Sequence, residues 1–143
     1  MKLHQIAVFL QNKPGHLSGI CRTLADENIN IVTLSLADTQ QFGILRLIIE
    51  DWERAAKILE QAGYLVQIRE VVATEVDNRP GGMADILEII SKANLNVEYV
   101  YAFAFRHHHC AVLIFRFDDP DRAIAALKTA GLNVLSKVDI FGE

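Results

Sequence analysis

Residues 12–15 read Asn12-Lys13-Pro14-Gly15, and residues 78–81 read Asn78-Arg79-Pro80-Gly81. The two tetrads lie 66 positions apart, and the apolar positions that follow them also match in kind. Because proline and glycine mark turns, the chain contains one particular loop twice, at the same place in two similar segments. The sequence is therefore a duplication, and the fold must be one that repeats.

The matching extends well beyond the two loops. Pairs of identical residues at an offset of 66 include Ile20 and Ile86, Asn28 and Asn94, and Asn30 and Asn96. Farther on the offset becomes 68, which indicates a two-residue insertion in the second copy. Identical pairs at this offset include Asp51 and Asp119, Arg54 and Arg122, Leu59 and Leu127, and Gly63 and Gly131. We predict two domains, residues 1–69 and 70–143, each near the lower size limit for an independent core.

Composition limits the class of protein and its partners. The chain is 51% hydrophobic and 22% charged, with a formal net charge of −4. These values are typical of an ordinary globular protein. Neither a run of like charges nor a basic stripe is present, so we expect no nucleic-acid partner.

The sequence predicts a cytoplasmic protein without a membrane partner. Its N-terminus lacks the apolar core and cleavage site of a signal peptide, and no stretch approaches the roughly 20 apolar residues of a membrane span. Cys21 and Cys110 fall at non-equivalent places in the repeats. We expect buried free thiols there, with a disulfide or a redox role as the alternative.

Hydrophobic spacing in the first half predicts strand, helix, strand, strand, helix and strand. The predicted segments are 3–10, 17–28, 31–37, 43–50, 52–61 and 64–69. Residues 40–41 form a tight turn, Asn28 closes the first helix in a left-handed conformation, and Asp51 caps the second. The second half repeats the order over 70–77, 82–93, 96–105, 108–117, 120–130 and 133–140.

The order β-α-β-β-α-β is the split βαβ, or ferredoxin-like, arrangement. Two right-handed crossovers place both helices on one face of an antiparallel four-stranded sheet. The predicted fold class is therefore α+β, with two such repeats. We further expect the two sheets to be joined side by side, because each sheet would then have one fewer unpaired edge strand.

These features together resemble the ACT domain, a small-molecule regulatory module of enzymes of amino-acid metabolism. The likeness covers essentially the whole chain, because each half resembles one ACT domain. It rests on the Asn-x-Pro-Gly loop, the Asn-x-Asn ending of the first helix and the element order. It implies an amino-acid ligand near the loop between first strand and first helix, commonly at an interface between paired domains. It also implies that Asn12, Asn78, Asn30 and Asn96 are the polar contacts.

Physical chemistry supports a ligand at that loop. A helix N-terminus presents unsatisfied N–H groups and partial positive charge to a carboxylate, and a carboxamide serves both ends of a zwitterion. The predicted ligand-binding residues are Asn12, Pro14, Gly15, His16, Leu17, Asn30, Ile31, Asn78, Pro80, Gly81, Gly82, Met83, Asn96 and Val97.

A structural role is the alternative for each of these residues. Pro-Gly is an ordinary turn, and asparagine is common in turns and caps. The two loops also differ, because repeat one has His16 where repeat two has Gly82. The larger side chain would either donate to a ligand or fill its space.

Repeat two carries an aromatic row, Tyr99, Tyr101, Phe103 and Phe105, where repeat one has smaller residues. Alternating residues of a strand share one face of its sheet. We expect the row to cover the helix-free face and to form a homodimer contact, with Val100, Ala102 and Ala104 beneath the helices. The alternative is that the rings face the helices.

Three adjacent histidines, His107, His108 and His109, fall in a predicted hairpin. Adjacent side chains of a strand diverge to opposite faces and cannot chelate together, so we predict no metal site and no cofactor.

Three functions remain open from the sequence. The first is a non-catalytic tandem ACT protein that binds a small amino acid or related metabolite and regulates a partner allosterically. The second is a regulatory subunit of an amino-acid-biosynthesis enzyme, similar to the small subunit of acetolactate synthase. The third is a structural dimerisation module. An enzyme is the poorest fit, because no nucleophile motif, phosphate loop or metal-ligand spacing occurs.

Overall fold

The computed structural model describes residues 1–11, 13–39, 41–104 and 110–142. Its strands are β1 (Leu3–Gln11), β2 (Thr33–Thr39), β3 (Phe42–Ile48), β4 (Leu65–Asp77), β5 (Val97–Ala104), β6 (Cys110–Phe117) and β7 (Val134–Leu135). Its helices are α1 (His16–Asp26), α2 (Trp52–Gln61), α3 (Gly82–Lys92), α4 (Pro120–Thr129) and α5 (Lys137–Phe141). The predicted turn residue Gln40 and the predicted hairpin at 107–109 lie outside the described residues.

The chain divides into two compact units. The first unit is His4–Arg69, and the second unit combines Met1–Leu3 with Glu70–Glu143. The first three residues thus group with the second unit, where the Lys2 ammonium lies 3.1 Å from Glu70 and 3.2 Å from Asp121. The predicted strands 64–69 and 70–77 are one continuous strand, β4, which contains the boundary between the units.

The first unit has its two helices on one face of an antiparallel sheet. The strand order is β2-β3-β1-β4, and β1 pairs with β3 so that Val8 lies opposite Leu45. Alternate residues of β1 and β3 face the helices, because side chains of a strand alternate between faces. The core contains Ile6, Val8, Leu10, Leu45 and Leu47 from the strands, Ile49 just after β3, and Ile20, Leu24, Ala55 and Leu59 from the helices.

The second unit repeats this arrangement. Strand β4 pairs with β6 on one side and with the short β7 on the other, and β6 pairs with β5. The core contains Val72, Leu113, Phe115 and Phe117 from the strands, with Ile86, Ile90, Ala123 and Leu127 from the helices. The predicted fold class, two ferredoxin-like repeats with both helices of each on one sheet face, is confirmed. The side-by-side joining of the sheets stays a prediction.

The strand predicted over 133–140 is wrong. Only Val134 and Leu135 are extended, and helix α5 follows. Ser136 begins this helix with a capping box: its N–H donates to Asp139 Oδ2 at 2.8 Å, and its Oγ accepts from the Asp139 N–H at 3.4 Å. These bonds satisfy donors that a new helix leaves open, which favours helix over a longer strand. The Ser136 N–H, and then its hydroxyl, lower the pKa of Asp139.

Asn28, the residue predicted to close the first helix, and its counterpart Asn94 both adopt the left-handed conformation. Asn28 has φ 57° and Asn94 has φ 55°. After Asn28, the Ile29 N–H donates to Leu24 O at 3.0 Å, the long bond of a Schellman motif. Gly63 and Gly131 end α2 and α4 at φ 94° and 82°, where glycine is unstrained.

The repeated arginines hold the ends of the preceding helices. Arg54 Nη2 donates to Glu27 O at 2.8 Å, and Arg122 Nη2 donates to the carbonyl oxygens of Ala93 and Asn94, the latter at 3.0 Å. Cations are favourable at a helix C-terminus, where carbonyl groups lack partners. Asp119 caps α4 by accepting from the Arg122 N–H at 3.1 Å, whereas the Asp51 side chain makes no such bond to α2.

The register of β5 places the aromatic row away from α3 and α4, as predicted. Val100 pairs with Phe115, a residue of the helix-side core, so the neighbouring Tyr99 and Tyr101 face the other way. Tyr99, Tyr101 and Phe103 are each half-buried, and Phe105 lies outside the described residues. The expectation that Val100 and Ala102 pack beneath helices is wrong, since both are exposed on the outermost strand of the unit.

The two cysteines are free and half-buried rather than fully buried. Within the described part of the chain, no helix has the length and apolar character needed to cross a membrane.

Candidate functional site

Both Asn-x-Pro-Gly loops end in the same turn. His16 N–H donates to Lys13 O at 3.3 Å, and Gly82 N–H donates to Arg79 O at 3.1 Å. The glycine before each helix is left-handed, with φ 91° at Gly15 and 86° at Gly81. Proline followed by such a glycine is the arrangement of a type II turn. The repeated motif is therefore a turn that directs the chain into α1 and α3.

Each turn leaves a helix N-terminus open beside it. We call residues 11–19 the first loop–helix site and residues 77–85 the second loop–helix site. The N–H groups of His16 and Gly82 donate hydrogen bonds within the turns. The following N–H groups, those of Leu17 and Ser18 in α1 and of Met83 and Ala84 in α3, have no carbonyl partner in a preceding helical turn. Gly15 and Gly81 are the N-cap residues, and neither contributes a side-chain cap. Both sites thus have the donors that attract an anion.

A small cavity lies at the second loop–helix site, with a volume of about 180 Å³. Its lining residues are Glu75, Val76, Asp77, Arg79, Gly82, Asp85, Ile86, Ile89 and Leu132. Three carboxylates and one guanidinium thus surround an apolar floor. At the first site a surface depression is lined by Gly15, Ser18, Gly19, Cys21, Arg22 and Ala25.

Arg79 connects the two carboxylates at the second site. Its Nη2 lies 2.6 Å from Asp85 Oδ2, its Nε lies 3.4 Å from Asp77 Oδ2, and its Nη1 donates to Pro80 O at 3.1 Å. Asp85, and to a smaller extent Asp77, raises the pKa of Arg79. The guanidinium therefore spans the loop and reaches the first turn of α3.

The first site lacks these charges. The residues that match Asp77 and Asp85 in the repeat are Gln11 and Gly19, and the first turn of α1 contains no acidic residue. Lys13 matches Arg79 but forms no ion pair with any residue that the structure describes. Residues 11–19 carry a formal charge of +1, and residues 77–85 carry −1.

The difference between His16 and Gly82 has a steric cause. A Cβ atom at Gly82 would lie 2.2 Å from the Asp77 carbonyl oxygen, far inside van der Waals contact. The second site therefore accepts only glycine in this loop geometry. The first site accommodates the His16 side chain, which is half-buried.

The remaining predicted residues are distributed over both ends of the helices. Asn12 lies outside the described residues, whereas Pro14, Asn78 and Pro80 are exposed in their loops. Asn30 lines a different cavity, of about 260 Å³, together with Asn28 and Arg54 near the end of α1. The structure thus does not bring Asn30 together with Gly15 and His16.

Asn96 and most of the apolar residues predicted to bind a ligand make structural contacts. The Asn96 N–H donates to Asp118 Oδ1, and its carbonyl accepts from the Asp118 N–H, both at 3.2 Å. The half-buried side chains Leu17, Ile31 and Val97 pack against the cores of their units. Met83 is 37% exposed, so it is the predicted apolar residue most accessible to a ligand.

Sequence reasoning missed Asp77, Arg79 and Asp85. A comparison of the charges in the two matched loops could have found these residues, whereas a search for shared motifs could not. As for metals, the described ranges hold no group of three or more histidine, cysteine, aspartate or glutamate side chains placed to bind an ion.

Comparison with known proteins identifies the family. A family model described as an ACT domain pair matches residues 1–141. A search among curated proteins finds no match. The chain is similar to a solved structure, protein BT0572 from Bacteroides thetaiotaomicron, at 34% identity over 100% of this chain and 98% of that one, with a TM-score of 0.92.

Two further structures share the fold at lower identity. The regulatory subunit of aspartate kinase from Thermus flavus is 15% identical over 90% of this chain and 92% of that one, with a TM-score of 0.65. The ligand-free regulatory subunit from Thermus thermophilus is 16% identical over 89% and 91%, also with a TM-score of 0.65. The duplicated turn, the duplicated fold and the match over residues 1–141 lead to one conclusion: the chain belongs to the ACT family, as a pair of ACT domains, which are regulatory modules.

Proposed function

We propose that this protein is a non-catalytic regulator that binds a small amino acid or a related metabolite at its loop–helix sites. The observation that carries the proposal is the membership of residues 1–141 in the ACT domain pair family. The glycine turn before α1 and α3 supports it, because a backbone without side chains lets a carboxylate approach the helix amides.

The side chains of the loop would complete recognition. Asn12 and Asn78 each offer a donor and an acceptor, which suits the ammonium and carboxylate groups of one ligand. Binding would regulate by differential affinity, since a ligand favours the conformation to which it binds more tightly. The ligand would thereby change the activity of a partner protein.

The ligand proposal is tested by thermal unfolding in the presence of each of the twenty amino acids. A ligand at 100 times its dissociation constant should stabilise the folded state by about 2.7 kcal/mol. We expect this stabilisation to fall sharply when the asparagine of the occupied loop is replaced, in Asn12→Ala or Asn78→Ala. The two variants are measured separately, each with and without the amino acid.

Gln67→Ser is a suitable control, because it changes an exposed residue of β4 that belongs to neither residues 11–19 nor residues 77–85. Absence of any stabilisation by millimolar amino acids would contradict ligand sensing. Full stabilisation in both asparagine variants would contradict the proposed role of the asparagines.

A regulatory subunit held to an enzyme is the second candidate. The fold shared with the regulatory subunit of aspartate kinase favours it, though only at the level of fold. Affinity purification of the protein from its native cell separates the candidates, because a subunit should retain an enzyme of amino-acid metabolism. A structural dimerisation module, the third candidate, should neither be stabilised by an amino acid nor retain an enzyme on purification.

We propose a homodimer formed through the aromatic row of β5. Tyr99, Tyr101 and Phe103 remain partly exposed on the face away from α3 and α4. Sedimentation velocity at micromolar concentration should give a species of about twice 16.0 kDa. Tyr101→Lys should shift it to the monomer, because a buried unpaired charge opposes association.

Val100→Lys is the matched control, since it places the same charge on the opposite face of the same strand. A wild-type monomer, or equal dissociation in both variants, would contradict this interface. The cytoplasm remains the proposed location, and the free thiols of Cys21 and Cys110 favour it.

A further inference from the structure

The last segment of the second repeat adopts a different structure from its counterpart in the first. At the offset of 68, residues 133–140 match residues 65–72, which are all extended in β4. In the second repeat only Val134 and Leu135 are extended, and α5 follows. We call residues 136–141 the C-terminal segment. The same place in the repeat thus contains a strand in one copy and a helix in the other.

The C-terminal segment keeps the residue pattern of a strand. Valine or isoleucine stands at 134, 138 and 140, and charged residues stand at 137 and 139. β-branched residues at alternate positions favour a half-buried strand. In α5 the Val138 side chain is 59% exposed, whereas Val134 is buried in the core of the unit. A strand through Val138 would turn its side chain to the same face as Val134, because residues four apart in a strand share a face.

The register of β7 shows where a longer strand would lie. β7 uses one edge of β4, since β6 occupies the other edge over the same residues. Val134 pairs with Thr74, and the two strands are antiparallel. Each further residue of β7 would pair one residue earlier on β4, so Val138 would lie opposite Glu70. A longer β7 would therefore run along β4 as far as Glu70.

The first residues of the chain lie at that end of the edge. Met1–Leu3 belong to the second unit, and β1 begins at Leu3. The strand order places β4 between β1 and β6, so β1 and β7 share an edge of β4. The Lys2 ammonium lies 3.1 Å from the carboxylate of Glu70, the residue that Val138 would face. We call Met1–Leu3 the N-terminal strap, and it stands where a longer β7 would run.

Lys2 holds the strap by charge. Its Nζ atom lies 3.1 Å from Glu70 Oε2 and 3.2 Å from Asp121 Oδ1, at the start of α4. Glu70, and then Asp121, raise the pKa of Lys2, so the ammonium form is favoured. The Lys2 side chain is 33% exposed, and exposed ion pairs are weak and screened by salt. A modest change in charge is therefore enough to loosen the strap.

We propose that the N-terminal strap and the C-terminal segment compete for one edge of β4 and together form a conformational switch. With the strap in place, the C-terminal segment forms α5, whose capping box stabilises it locally. When the strap leaves the edge, β7 lengthens through Ser136, Lys137 and Val138, and α5 unwinds. Because α5 has only five residues, its own hydrogen bonds oppose this change weakly. The charges around Lys2 thus control the structure at the other end of the chain.

Nuclear magnetic resonance of the full-length protein, labelled with ¹³C and ¹⁵N, tests the switch. Chemical exchange saturation transfer detects a minor state, and its ¹³Cα shifts at Lys137 and Val138 distinguish a strand from a helix. In the wild-type protein we expect a minor state of about 1% with strand-like shifts. Lys2→Glu should raise this population about fivefold, because like charges would then face each other at Glu70 and Asp121.

Lys92→Glu is the matched control, since it makes the same charge reversal at an exposed residue of α3 in the same unit. It should leave the minor population unchanged. Lys137→Pro should lower that population, because proline suits the first position of α5 and Ser136 before it is already extended. Combined with Lys2→Glu, it should return the population toward the wild-type value. The spectrum of the major state reports whether each variant is folded.

Absence of a minor state in both the wild-type protein and Lys2→Glu would overturn the switch. A minor state with random-coil shifts would also overturn it, because the C-terminal segment would then unwind without joining β4. Equal increases in Lys2→Glu and Lys92→Glu would contradict the strap as the competitor. The amino-acid thermal shift decides the proposed function separately, since the switch requires no ligand.

Discussion

Alanine at Gly82 is expected to destabilise the protein by about 1–3 kcal/mol, the usual cost of inserting a methyl group where the backbone leaves no space. The added Cβ would lie 2.2 Å from the Asp77 carbonyl oxygen, so the end of β4 or the start of α3 has to move. The neighbouring atom belongs to the backbone, which cannot rotate away as the end of a long side chain can. Urea unfolding followed by circular dichroism measures the change.

His16→Ala is the control for this prediction, because it alters the matched position of the first repeat. A side chain is already accommodated there, so the expected change lies within about 0.5 kcal/mol. A Gly82→Ala variant as stable as the wild-type protein would contradict the close approach of Asp77.

Phe115→Ala should have the larger effect, with a loss of about 3–5 kcal/mol in the free energy of unfolding. Phe115 is fully buried, and its ring stacks on Phe117 with centroids 5.1 Å apart. Removal of the ring loses buried apolar surface and leaves a cavity between the sheet and the helices of the second unit. The midpoint of urea unfolding should fall correspondingly.

The first repeat suggests a smaller substitution as the control, since Leu47 occupies the position that matches Phe115. Phe115→Leu should cost clearly less than Phe115→Ala, because most of the volume is retained. Equal losses in the two variants would contradict a cavity as the cause. They would instead indicate that the ring stacking dominates the stability of this core.

The fold was predictable because local signals and the repeat agreed. The helix 52–61 was predicted with its observed bounds, and the left-handed conformation of Asn28 was expected from its position after an apolar helical stripe. The segment 133–140 failed because its apolar residues suggested a strand. The capping box of Ser136 and Asp139 is a local helix signal, and it prevails over that pattern.

The site was less predictable, because its charges come from residues that differ between the repeats. Matching identical residues located the turns but passed over Asp85, whose counterpart is Gly19. The contact between Arg79 and Asp85 also depends on how α3 follows the turn. Likewise, Arg54 and Arg122 were recognised as repeated residues, yet their carbonyl partners lie 27 to 29 residues earlier in the chain.

The two loops share one backbone conformation but differ in the charges of their side chains. Gly15 and Gly81 keep nearly the same left-handed geometry although the charges around them have diverged. A gene duplication supplies a spare copy, and here the spare copy can gain or lose acidic residues without disturbing the bend that both copies need. The charge of each loop thus becomes a trait that single substitutions can adjust while the scaffold persists.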